Sequence, residues 1–206
     1  MTAVGSDDAA DDERAARVAA PGRRLPRAQR REQILLAATE AFARSGFAAT
    51  SLDDVAREAG VTRMVVYTHF ESKTALYQAA LDRMRDRLNV ATGSPDYDLF
   101  SIGALLAVAA EEPAGFRLLF HHAAREPEFR AETDRIRAHG VAIARRYVEP
   151  MIPQQAWADW ACSLIPTVTL ESVIAWLDAG QPDRDAAAER IRVVIDGIVT
   201  AARSLP

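Results

Sequence analysis

Apolar residues recur at helical spacing along most of the chain and nowhere alternate with period two over a useful length, so helices are predicted throughout and strands are not. From Arg27, the residues Ile34, Leu35, Ala38, Ala41 and Phe42 share one face until Ser45-Gly46 stops the run. Thr50 and Ser51 each have an aspartate three positions on, Asp53 and Asp54, so the second helix has two possible starts. Leu52, Val55, Ala56 and Ala59 form its apolar stripe and Gly60 ends it. Only Val61 separates Gly60 from Thr62, an N-cap for a third short helix running from Arg63 to about Phe70. Ser72 opens a long fourth helix through Ala75, Leu76, Ala79, Leu81, Met84 and Leu88, closed by Gly93, Ser94 and Pro95.

Further helices are expected over 99–111, 114–124, 128–148, 155–177 and 184–204, with breaks at Pro113, Pro127, Pro150 with Pro153, and Gly180 with Pro182. Pro166 is expected to kink the fourth of these. The fold class is all-α: a three-helix helix-turn-helix head followed by a C-terminal helical body. The domains expected are a disordered arm over 1–26, acidic and then Arg-rich, a head over 27–88 and a body over 96–206.

Charge changes this picture by locating a surface. The formal net charge is -4, but residues 1–13 carry 0 basic and 5 acidic side chains, 14–90 carry 14 and 8, and 91–206 carry 11 and 16. A segment of +6 thus lies between two segments of -5. Phosphate attraction is decided locally, because charges are screened beyond about 10 Å at moderate salt, so the middle segment suits double-stranded nucleic acid. A merely solvated basic face would look the same by charge alone. The single cysteine, Cys162, excludes an intrachain disulfide framework and any Cys-based metal cluster. The acidic N-terminus is unlike a signal peptide and no uninterrupted apolar stretch approaches a membrane span, so a cytoplasmic protein without membrane or cofactor is expected.

The segment 50–70 separates positions that must be buried from positions left outward. Leu52, Val55, Val61, Val66 and Phe70 form the inward set. On the third helix Arg63, Met64, Val65, Tyr67, Thr68 and His69 remain more or less outward, a mixture able to meet base edges and phosphates in a major groove. Arg63 could bond guanine bidentately; Met64 and Val65 could touch thymine methyls; Tyr67 and His69 suit phosphate oxygens. Thr50, Thr62, Lys73 and Arg27 complete the candidate DNA-binding set. Lys73 is the only lysine in the sequence, and Arg23, Arg24, Arg27, Arg30 and Arg31 form an arm able to enter a minor groove or simply to be solvated.

Residues 50–76, reading TSLDDVAREAGVTRMVVYTHFESKTAL, resemble the helix-turn-helix signature of the TetR family. The resemblance rests on Phe42 and Gly46-Phe47, Val55-Ala56, Ala59-Gly60-Val61, Tyr67, His69-Phe70, Lys73 and Leu76. It implies DNA-backbone contacts for Tyr67, His69 and Lys73, and an effector cavity in the body. Met64 departs from the family's usual small residue or proline, which leaves the base sequence read by this helix open.

In the body, aromatics at helical spacing are usually core. Their company with His121, His122, Arg117 and Glu171 nominates Phe116, Phe120, His121, Tyr147, Trp160 and Glu171 for a pocket holding a small apolar ligand. The apolar faces carrying Leu164, Ile165, Val168, Val173, Ile174 and Leu177, and Ile191, Val194, Ile195 and Ile198, are expected to form a homodimeric four-helix bundle. No nucleophile elbow, phosphate-cradling loop or His-Glu metal motif supports enzymatic activity. His121 and His122, adjacent on a helix, point about 100° apart and are not expected to chelate one ion. The leading expectation is a dimeric repressor released from a palindromic operator by ligand. An activator or ligand-independent regulator stays open, as does a helical ligand-binding protein or enzyme whose helix-turn-helix serves protein contacts.

Overall fold

The computed structural model of the chain describes residues 25–93 and 101–203. The arm over 1–24 with Arg23 and Arg24, the expected helix stop at Ser94-Pro95, and residues 99, 100 and 204 lie outside the described residues. The described residues from 33 onward form one compact unit, and described residues 25–32 carry the start of the first helix.

Helix α1 spans Arg27–Ala49 and buries Ile34, Leu35, Ala38, Ala41 and Phe42. Its ladder breaks where the sequence places the stop, at Gly46, whose φ of 78° is open to a residue without a Cβ. Helix α2, Leu52–Glu58, is capped by Ser51 rather than Thr50: Ser51 Oγ accepts from the Asp54 N–H (3.1 Å) and the Ser51 N–H donates to Asp54 Oδ2 (2.9 Å). Thr50 turns backwards instead, its hydroxyl donating toward the carbonyls of Gly46 (2.7 Å) and Ala41 (3.2 Å) at the end of α1. The left-handed Gly60 (φ 63°) ends the turn, and Thr62 caps α3, Arg63–His69. Helix α4, Lys73–Thr92, starts at the cap Ser72, whose Oγ accepts from the Ala75 N–H (3.0 Å), and stops at the left-handed Gly93 (φ 75°).

The body comprises α5 (Ile102–Glu111), α6 (Pro113–Arg117), α7 (Arg130–Val148), α8 (Gln155–Asp178) and α9 (Arg184–Arg203). The single helix expected over 114–124 is not regular. After α6 it widens into a π turn, Leu118–His122, and tightens into a 3-10 turn, Ala123–Arg125. The Thr133 hydroxyl donates to the Leu119 carbonyl inside the widened turn (3.2 Å), occupying an acceptor there. Helix α7 packs on α8, α8 on α9, and α5 on α4, α8 and α9.

Helix α8 is long and apolar enough to cross a membrane by length and composition alone, although no uninterrupted apolar stretch in it is that long. Asp159 and Glu171 interrupt it, and its Ala158, Ala161, Cys162, Ile165, Pro166, Val173, Ile174 and Leu177 are buried in the body. Pro166 is accommodated inside this helix beside Gly140 of α7, where a Cβ on the glycine would come within 2.9 Å of the proline ring. Between the head helices and the body, α4 is joined by ion pairs. Arg83 and Arg87 meet Glu112, and Arg85 pairs with the buried Glu132 at 2.7 Å.

Candidate nucleic-acid interface and body cavity

Val66, fully buried, anchors α3 on the head core and fixes which side of this two-turn helix faces outward. Arg63, Met64, Tyr67 and Thr68 are exposed, Met64 at 74%, while Val65 and His69 are half-buried. An exposed methionine of that degree buries nothing within the chain and is suited to an apolar edge brought by a partner. Thr62 spends its hydroxyl on the Val65 N–H (3.4 Å), and Thr68 donates to the Met64 carbonyl (2.9 Å). Arg63 is the most connected group on this face. Its Nη1 donates to Asp53 Oδ2 of α2 (2.8 Å), its Nη2 to the Tyr67 hydroxyl (3.2 Å), and its guanidinium lies 5.5 Å from the Tyr67 ring centroid. The Tyr67 hydrogen bond and the Asp53 carboxylate both hold its pKa above the ordinary arginine value.

Two of the expected DNA-contacting side chains are committed inside the head. Thr50 is 3% exposed, so its side chain cannot reach a phosphate; the expectation is corrected by its use as a clasp on the end of α1. Lys73 directs its ammonium onto the carbonyls of Phe47 (2.8 Å), Thr50 (3.1 Å) and Ala48 (3.4 Å). An ammonium has three N–H donors, and these carbonyls at the end of α1 and just beyond it supply three acceptors. A phosphate contact by Lys73 would take a donor from them. Arg27 is exposed in the first turn of α1.

The body holds a half-open apolar cavity of about 130 Å³ between α4, α5, α7, α8 and α9, bounded among others by Leu88, Ile102, Phe120, Ile136, Ala144 and Ile165. Of the six pocket residues expected from sequence, only Phe120 lines it. Phe116 is fully buried and stacks on Phe120, with centroids 4.7 Å apart, one layer behind the wall. Tyr147 and Trp160 face outward, 38% and 41% exposed, and Glu171 is exposed; His121 is half-buried outside the lining. Arg117, also expected near a ligand, pairs with Asp178 (2.8 Å). Sequence reasoning missed Gly140 and Pro166 in the lining, although a glycine and a proline inside helices signal close approach. The hydroxyls of Thr92 and Thr169 at the cavity donate to their own helices, to Leu88 and Ile165, which leaves acceptor lone pairs as their polar offer.

The expected dimer residues are likewise redistributed. Ile165, Val173, Ile174, Leu177, Ile191, Ile195 and Ile198 are buried within the chain's own body, because α5 and α7 cover that face. Leu164 and Val168 are half-buried against that core and Val194 is 47% exposed, so these three keep part of their apolar surface uncovered.

Comparison with known proteins places this arrangement. Residues 34–80 match the model of the family described as bacterial regulatory proteins, tetR family. The HTH-type transcriptional activator FasR of Mycolicibacterium smegmatis is 30% identical over 184 residues, covering 82% of each chain. A TetR-like transcriptional regulator from Rhodococcus sp. RHA1 superposes with a TM-score of 0.71 at 22% identity, covering 84% of this chain and 96% of that one. FadR from Bacillus subtilis, solved in complex with stearoyl-CoA, gives 0.60 at 17% identity over 82% and 97%. The chain belongs to the TetR family and is a DNA-binding, helix-turn-helix transcriptional regulator.

Proposed function

We propose that this regulator acts as a dimer on a palindromic operator and is controlled by an apolar ligand in the body cavity. The observation that carries the reading is the position of α4. Its N-terminal end is fastened to the head through Lys73, while Leu88 and Thr92 at its other end form part of the cavity wall. An occupant that prefers one placement of α4 shifts the population of head positions by its differential affinity for the two states. In each half-site α3 enters the major groove, with Arg63, Met64, Val65, Tyr67 and His69 toward the duplex and half-sites about one helical turn apart.

Among the described residues no charged side chain lines the cavity, so it suits an uncharged or hydrocarbon portion of a ligand. The stearoyl-CoA complex of the Bacillus subtilis protein supports an acyl chain as one such portion. The uncovered parts of α8 and α9 at Leu164, Val168 and Val194 supply the surface for the second subunit. The kinship with an activator along most of the chain favours, beside the repressor reading, one in which the bound state promotes transcription.

The test is a mobility-shift assay on DNA upstream of the chain's own gene with wild type, Tyr67→Phe and Ala144→Leu. The expected result is a specific, salt-dependent shift that Tyr67→Phe weakens. Long-chain acyl compounds should release wild type but not Ala144→Leu, whose larger side chain fills the cavity. Equal binding to random duplex would overturn the operator reading, and release of Ala144→Leu at unchanged ligand concentration would overturn the cavity assignment.

A further inference from the structure

Asp53 is an unusual side chain to find on a surface meant for a polyanion. It occupies the first turn of α2 and is not part of the cap, since Asp54 serves Ser51 in that role. Its carboxylate instead reaches across the helix-turn-helix to Arg63, and both partners stay exposed, at 58% and 53%. Exposed ion pairs of this kind add little to stability. A carboxylate close to a phosphate backbone opposes binding, so the pair's effect lies in what it does to Arg63.

An arginine has five N–H donors, of which one is given to Asp53 and one to Tyr67, leaving three. Tyr67 lies one turn further along α3 with its ring centroid 5.5 Å from the guanidinium carbon, so both terminal nitrogens of the fork are held and the ring lies alongside it. For an arginine already neutralised by a carboxylate, exchange onto a lone phosphate replaces one anion by another. Guanine presents O6 and N7 to donors that remain available, and a planar fork already fixed in orientation loses little freedom in meeting them.

We infer that Asp53 is a specificity-determining positioning residue, which restrains Arg63 from phosphates and presents its fork to a guanine in each half-site. The inference rests on the reading that α3 enters the major groove. Asp53 thereby lowers affinity for arbitrary sequence and raises the ratio between cognate and non-cognate sites, a ratio that matters more to a regulator than affinity alone.

The experiment begins by selecting a consensus duplex from a randomised pool with the wild-type protein. Dissociation constants are then measured over a salt series for this duplex, its single-base variants and random duplex, using wild type, Asp53→Asn, Asp53→Glu and Arg63→Ala. Arg63→Ala is expected to abolish, at one base pair per half-site, the roughly 5- to 150-fold discrimination that a bidentate arginine–guanine pair supplies. Asp53→Asn is expected to reduce discrimination at that same base pair by about five-fold or more. It should also bind random duplex more tightly, with a salt slope steeper by about one as the freed arginine takes a phosphate. Asp53→Glu, which keeps the charge, should restore part of the discrimination.

If Asp53→Asn keeps wild-type discrimination while Arg63→Ala loses it, the role of Asp53 is overturned and the groove reading stands. If Arg63→Ala leaves every position as selective as wild type, or if no consensus emerges, the groove reading itself fails and the role of Asp53 with it. Because the pair is exposed, the variants should melt close to wild type, and base discrimination is a readout that a purely structural role would not move.

Discussion

Lys73 holds Phe47 in two ways at once: its ammonium donates to the Phe47 carbonyl at 2.8 Å and lies 4.4 Å from the centroid of the same residue's ring. The end of α1, the turn into α2 and the start of α4 are tied at one point. Removing the ammonium in Lys73→Met leaves the part-buried carbonyls of Phe47 and Thr50 without this donor and is expected to cost about 1–3 kcal/mol. Urea unfolding checks this. A variant as stable as wild type would show that water replaces the clamp fully, and weakened DNA binding would then report a direct phosphate contact.

The capping box of α2 makes a pH prediction. Hydrogen bonds from the Ser51 side chain and backbone, and then from Arg57, hold the Asp54 carboxyl at about 2 against an ordinary 3.8. A carboxyl depressed in the folded state contributes stability that is complete above 3.8 and is lost as pH falls toward 2. Asp54 stays partly exposed to solvent, so the stability effect is small. The sensitive readout is carboxyl NMR, in which Ser51→Ala should bring the Asp54 titration back toward 3.8. No movement would show that the hydroxyl is not what depresses it.

Gly115 of α6 faces Met84 of α4 so closely that an added Cβ would overlap the methionine's terminal methyl. Gly115→Ala is expected to destabilise by about 1–3 kcal/mol through overpacking. Because the obstacle is the far end of a flexible side chain, Met84→Ala in the same chain should recover part of that loss, a coupling measurable in a double-mutant cycle. Strict additivity would mean that the two sites do not press on each other.

Tyr77 is fully buried in an aromatic cluster, with ring centroids 4.9 Å from Phe42, 5.1 Å from Phe47 and 4.3 Å from Phe129. Its hydroxyl has no hydrogen-bond partner among the described residues, and burial pushes the phenol above its ordinary pKa, with the Glu126 charge adding to the shift. Tyr77→Phe should therefore leave stability unchanged or raise it by about 1 kcal/mol. A loss of that size in denaturant unfolding would reveal a partner for the hydroxyl.

What could be read from sequence was what local chemistry decides. Ser72, Thr62, Gly60, Gly93 and the break at Gly46 act through their own backbone and their nearest neighbours, and each stands where the pattern placed it. Thr50 against Ser51 was a tie by cap pattern, resolved by the carbonyls of Gly46 and Ala41 at the end of α1, which take the Thr50 hydroxyl. Lys73 illustrates the harder case, since its acceptors lie 23 to 26 positions earlier and leave no periodic trace.

The apolar stripes of α8 and α9 were legible as stripes. A stripe states that a face is covered, not by what, and here α5 and α7 cover most of it. Tyr147, Trp157 and Trp160 show the converse, as aromatics at helical spacing that point outward. The cavity is bounded by Ile102, Ile136, Ala144 and other ordinary core types, which nothing in composition separates from close-packed core.

A sequence with one lysine carries one side-chain amine, and in this fold that amine is held against Phe47, Ala48 and Thr50. Its reaction with an amine-selective acylating reagent is therefore gated by opening of the head, since a donor engaged with carbonyls must come free before it can attack. The wild-type chain thus contains one side-chain amine that serves as a chemical clock for the junction between α1 and α4. Its rate, followed by mass spectrometry of the labelled peptide, would report without any substitution whether operator DNA or a cavity occupant tightens or loosens that junction.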